Sequence, residues 1–186
     1  MKTCKTLCTG MNLPECIQAL CEGVLRDLHE MGCLKAKREP YFCAVVVVAC
    51  LKADDRSAAR LCSEVAAKFP TSSEKEIKAA LVSINEVYEI REIAPSDLVE
   101  RFCYLLGVDD KKFENKVKSV LDFFLQNKFQ DGQSAALLAC IAITFCSKLD
   151  AQHVQNVTNL QENLPRAMQK LKASTFYAFL LQEFPV

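Results

Sequence analysis

The chain has 186 residues, enough for one large domain or two small ones. Half of them are hydrophobic, and 23 basic side chains offset 23 acidic ones. That balance excludes a protein that grips nucleic acid unaided, because such affinity comes largely from neutralised phosphates. With only five glycines and six prolines, a domain of many short strands is excluded as well.

In chain order, Cys4 and Cys8 come first, four residues apart. They read as a helix turn carrying two small residues, since nothing nearby completes a metal site. The eleven cysteines contain no C-x-x-C pair. Cys43, Cys50, Cys140 and Cys146 fall in apolar runs, where a thiol behaves as a small hydrophobe. No secretory signal opens the chain, so a reduced compartment is expected.

Pro14–Met31 reads as an amphipathic helix with Ile17, Leu20, Cys21, Val24, Leu25 and Leu28 on its inner face. A basic loop with Lys35, Lys37 and Arg38 follows. Tyr41–Leu51 is the longest apolar run. It is too short to cross a bilayer, and Pro40 suits the first turn of a helix. The β-branched Val45–Val48 would make a strand by propensity. A lone strand would have no partner, and its counterpart in the second half is Ala- and Leu-rich. A helix is therefore expected, and one apolar on every side must be enclosed by others. Ser57–Phe69 offers Leu61, Val65 and Phe69 to it. Ser73–Ile90 offers Ile77, Leu81, Ile84, Val87 and Tyr88, with Ser73 and Glu76 as a capping box.

Pro95 reads as a stop, with Ser96 or Asp97 capping the next helix. It divides the chain into 1–94 and 95–186. The second part reads as helices over Asp97–Leu106, Lys112–Lys128, Gln133–Leu149, Ala151–Val157, Asn163–Lys172 and Ser174–Phe184. The halves correspond at a spacing of 96 residues. Val24-Leu25 matches Val120-Leu121, Cys50 matches Cys146, and Lys52 matches Lys148. In both halves an amphipathic helix, a polar loop and an apolar helix follow in order.

Several of these segments resemble the cyclin-like repeats of transcription factor IIB. In the second half, Arg101-Phe102-Cys103 stands at the family's R-F-C element. The long helix over Val117–Lys128 comes next, then Gly132-Gln133-Ser134 at its G-R-S loop, then the Ala-rich Ala135–Cys146. In the first half, Met11-Asn12-Leu13-Pro14 resembles the approach to the long helix of repeat one. Lys35-Ala36-Lys37 stands at K-G-R, Arg56-Ser57 at R-T, and Glu74-Lys75-Glu76-Ile77 at K-K-E-I. Gln133 replaces an arginine of the family and Ala36 a glycine. The family's zinc ribbon and most of the first helix of repeat one have no counterpart.

The resemblance implies an all-α fold of two tandem cyclin-like five-helix repeats, the first truncated at its N-terminus. It implies a non-catalytic, nuclear, monomeric initiation factor with no cofactor and no membrane contact. Its partners would be the TATA-binding protein, promoter DNA and RNA polymerase II. Ala151–Val157 and Asn163–Lys172 become a helix-turn-helix, with Val154, Val157 and Leu160 facing inward and Asn159 in the left-handed turn position. Leu164, Met168 and Leu171 bury. Asn163, Arg166, Gln169 and Lys170 form the outer face, Arg166 being the best reader of guanine and Lys170 a phosphate contact. Lys35, Lys37 and Arg38 become phosphate contacts, mirrored by Gln133 and Ser134. Lys52, Lys75 and Lys78 form the protein-facing set.

The other reading of the same fold is a cyclin-like subunit that activates a protein kinase. The tryptophan-bearing element that cyclins usually carry in an early helix is absent, and the chain has no tryptophan. His29 and His153 stand alone and read as surface residues. No Gly-rich phosphate loop, nucleophile elbow or paired-carboxylate motif points to an enzyme.

Overall fold

The computed structural model describes residues 2–33, 38–53, 58–108, 110–129 and 132–185. All regular structure among them is helical, in eleven helices, so the protein is all-α. The chain divides into two compact units, residues 1–92 and 93–186.

The first unit contains α1 (Lys2–Gly10), α2 (Glu15–Glu30), α3 (Arg38–Lys52), α4 (Cys62–Lys68) and α5 (Glu74–Tyr88). Val45–Val48 lie in α3 and are wholly buried, as are their neighbours from Cys43 to Cys50. This helix has no polar face, and α1, α2, α4 and α5 all pack against it. The second unit contains α6 (Pro95–Leu105), α7 (Lys111–Gln126), α8 (Ala135–Ser147), α9 (Ala151–Thr158), α10 (Leu164–Lys172) and α11 (Thr175–Glu183). Its apolar helix is α8, buried from Leu138 to Phe145 and packed by α6, α7, α9 and α10. In each unit the enclosed helix is the third in order.

The first two helices of the units agree in detail. Helices α2 and α7 each have 16 residues, and Glu15 to Lys111 and Glu30 to Gln126 are both steps of 96. Buried Cys21, Val24, Leu25 and Leu28 fall at the same step from buried Val117, Val120, Leu121 and Phe124. Both helices close with one backbone device. The Cys33 amide donates to the Leu28 carbonyl at 2.9 Å, and the Phe129 amide donates to the Phe124 carbonyl at 2.9 Å. The residue before each donor is left-handed, Gly32 at φ 68° and Lys128 at φ 56°. Helices α1 and α6 end alike as well. Leu13 donates to Cys8 and Val108 to Cys103, both at 2.9 Å, after left-handed Asn12 and Gly107.

Some boundaries differ from those expected. The helix turn read around Cys4 and Cys8 extends to a nine-residue helix, α1, over Lys2–Gly10. Helix α4 begins at Cys62 rather than Ser57, because the Glu64 carboxylate accepts the Leu61 amide at 2.7 Å and fixes the start there. Pro95 opens α6 instead of ending a helix. Its missing N–H costs nothing in the first turn, and the Asp97 carboxylate accepts the Ala94 amide at 2.9 Å. Helix α5 stops at Tyr88, where Glu89 turns left-handed and the Ile90 amide donates to the Asn85 side chain. The Ser73–Glu76 capping box forms at its other end. Leu20, Leu61, Phe69, Leu81, Val87 and Tyr88 are half-buried rather than fully enclosed. None of the described helices is long and apolar enough to cross a membrane.

Lys128 occupies a left-handed position that the matching site fills with glycine. A side chain there is strained by about 1–2 kcal/mol, partly offset by the lower entropy of its unfolded chain. Lys128→Gly is expected to stabilise the protein by about 0.5–1 kcal/mol in urea denaturation. A loss of stability would show that the turn does not limit α7.

Candidate nucleic-acid interface

Helices α9 and α10 are joined by a short turn whose geometry comes from four polar side chains. Asp150 caps α9, its carboxylate accepting the amides of Gln152 at 3.0 Å and His153 at 3.1 Å. Asn159 ends α9 in the left-handed conformation, φ 53° and ψ 35°, which asparagine tolerates better than most residues. Asn163 caps α10, its side-chain oxygen accepting the Arg166 amide at 2.9 Å. Gln155 reaches from α9 to α10, where its carbonyl oxygen accepts the Leu164 amide at 2.9 Å. A second amide at the head of α10 is thereby satisfied, so the turn is tied at both ends.

The inner face seats this pair on α8. Val154, Leu160, Leu164, Met168 and Leu171 are buried. Thr158 is buried too, whereas Val157 is only half-buried, contrary to its expected inward place. The reason is a hydrogen-bond chain. The Thr158 hydroxyl donates to the Val154 carbonyl at 2.8 Å and lies 3.5 Å from the Cys140 sulfur on α8. With the hydroxyl proton used, the thiol is the donor to Thr158. Burial pushes the Cys140 thiol up to about 12, so it stays neutral and serves packing.

Arg166, Gln169, Lys170 and Lys172 are exposed on α10, and Asn163 is exposed at its head. Arg166 stands in the first turn, the part of a helix-turn-helix that meets base edges. Lys170 and Lys172 fall in the last turn, where positive charge also suits the helix dipole.

The remaining expected residues are placed elsewhere. Ser134 caps α8, its hydroxyl accepting the Leu137 amide at 3.1 Å, and it remains exposed. Gln133 is half-buried, its amide donating to the Phe129 carbonyl at 2.9 Å, so part of it is spent within the chain. Arg38 begins α3, while Lys35 and Lys37 lie outside the described residues. In the first unit, exposed Lys75 and Lys78 sit one turn apart on α5. Lys78 pairs with Glu74 at 2.7 Å, an exposed pair of small energetic weight. Lys52, at the end of α3, holds its ammonium 4.0 Å from the Tyr88 ring centre, and Tyr88 in turn hydrogen-bonds Asp27. Lys52 is thus engaged within its own unit.

Arg101 of the R-F-C segment is buried with its guanidinium carbon 5.0 Å from the Phe102 ring centre. His29 and His153 are exposed. Gln155 and Thr158 were not singled out in the sequence, because a lone polar residue on an amphipathic helix carries no periodic signal. No protein-family model matches the chain, and no curated protein matches it.

Asn163→Ala removes a cap from the α10 amide of Arg166. It is expected to destabilise the protein by about 1 kcal/mol in urea denaturation. A variant as stable as the parent would mean that Gln155 alone fixes the start of α10.

Proposed function

We propose that the protein is a non-catalytic assembly factor of the transcription factor IIB type, built from two tandem cyclin-like repeats. It binds the complex of the TATA-binding protein with promoter DNA in the nucleus and helps bring RNA polymerase II. The observation that carries this reading is the α9–α10 helix-turn-helix, capped at both helices and presenting Arg166, Gln169 and Lys170 to solvent. The repeated plan of an enclosed third helix, with matching turns after α1 and α6 and after α2 and α7, supports it.

In this role α10 lies in the major groove upstream of the TATA element. Arg166 has the planar fork that pairs with guanine O6 and N7, and Lys170 and Lys172 meet phosphate. Ser134 adds a hydroxyl contact to the backbone. Lys75 and Lys78 on the first unit meet the TATA-binding protein or phosphate. A chain with no net charge binds DNA weakly alone. Several weak contacts suffice once DNA and the TATA-binding protein are engaged together.

The test is fluorescence anisotropy on a TATA-containing duplex, with and without the TATA-binding protein, at physiological salt. The expected result is weak binding alone and a tight ternary complex. Arg166→Ala is expected to weaken that complex about ten-fold or more and to relax the preference upstream of TATA. Tight, salt-insensitive binding by the isolated protein would contradict the proposal. So would a ternary complex indifferent to Arg166 on every duplex, which would remove α10 from the DNA. Co-purification with a kinase in place of ternary-complex formation would favour the cyclin-like reading.

A further inference from the structure

Three cysteine sulfurs converge where α1 meets α2. Cys4 and Cys8 are one turn apart on α1, so both face the same neighbour. Cys21 lies on the buried face of α2. The Cys8 and Cys21 sulfurs are 3.9 Å apart, and all three thiols are buried and free. A pair of packed thiols this close needs a closure of only about 2 Å to reach bonding distance.

We propose that Cys8 and Cys21 form a redox-active dithiol that closes to a disulfide by reaction with a low-molecular-weight disulfide, covalently clamping α1 onto α2. The chemistry follows from the hydrogen bonding. Hydrogen bonding with Cys21 lowers the Cys8 and Cys4 thiols from their ordinary value, against burial, which raises them. Cys21 is raised, by its hydrogen bonding with Cys4 and Cys8 first and by burial next. Cys8 is therefore the attacking thiolate. It displaces one thiolate from the external disulfide and forms a mixed disulfide. The departing thiolate takes the Cys21 proton. Cys21 then attacks the Cys8 sulfur and expels the second thiolate, which takes up from water the proton that Cys8 had released. The protein loses two hydrogens, and the external disulfide becomes two thiols.

Access comes through α1 itself. Nine residues do not hold a helix in water without packing, so α1 depends on burying Cys4, Leu7 and Cys8. Loosening of α1 at this seam admits the reagent to Cys8 while Cys21 stays beside it, and re-docking closes the pair. In a reducing thiol pool the pair remains open; in an oxidising one the clamp closes.

The test uses the full chain with Cys16→Ser, which removes the exposed cysteine nearest in sequence to Cys21. The protein is incubated with oxidised glutathione, its free thiols are alkylated, and it is digested with trypsin and a glutamate-specific protease. These cleave between Cys8 and Cys21 at Glu15. The expected product joins segment 6–15 to segment 16–22, two hydrogens lighter than the separate peptides and released by reductant. Alkylation of both Cys8 and Cys21, or linkage of either to another sulfur, would overturn the pairing. The oxidised protein is also expected to melt several degrees above the reduced one. A link that leaves the melting temperature unchanged would overturn the clamp.

Discussion

A helix without a polar face is tolerated in water only when other elements enclose it, and this constraint organises the protein twice. Helices α3 and α8 bury essentially every side chain of their central turns. Each fully buried valine, leucine or isoleucine contributes about 1.5–3 kcal/mol relative to exposure, so the gain is realised only when four amphipathic neighbours are in place. The neighbours are made to fit by their ends as much as by their faces. Glu64, Glu76 and Asp97 each reach back to the amide that begins their helix. Left-handed residues close α1, α2, α6 and α7 at matching positions.

The same enclosure produces the candidate interface. Helix α10 packs on α8 and buries Leu164, Met168 and Leu171, which leaves it an exposed polar face. Thr158 and Cys140 join α9 to α8, and Gln155 joins α9 to α10. Arg166 is thus presented from a turn whose main-chain donors are already satisfied, which favours a fixed orientation. With no net charge to draw the chain onto any polyanion, a defined surface and a second partner are what the proposed role requires.

Much of this was legible in the sequence, and the reasons are physical. Hydrophobic period and helix-favouring composition placed every helix from α2 to α11. The Ala-rich segment of α8 identified its valine-rich counterpart as helix against β-propensity. Boundaries set by a single long-range or reciprocal hydrogen bond were not legible. The start of α4 depends on one carboxylate, and Pro95 can either end a helix or begin one. The exchange of Val157 for Thr158 on the inner face arises from a hydrogen bond to Cys140, eighteen residues away. Likewise, Cys4 and Cys8 look isolated along the chain, and only the packing of α1 on α2 brings Cys21 to them. The polar surface of α10 was readable from its period, while its support by Gln155 was not.

Amide hydrogen exchange tests the organising constraint most directly. If enclosure of α3 and α8 holds each unit together, the amides of Val45–Val48 and Ala139–Ile143 exchange only when their unit unfolds as a whole. Those of the short helices α4 and α11 then exchange earlier, by local opening. Exchange in α3 or α8 as fast as in those peripheral helices would contradict the account.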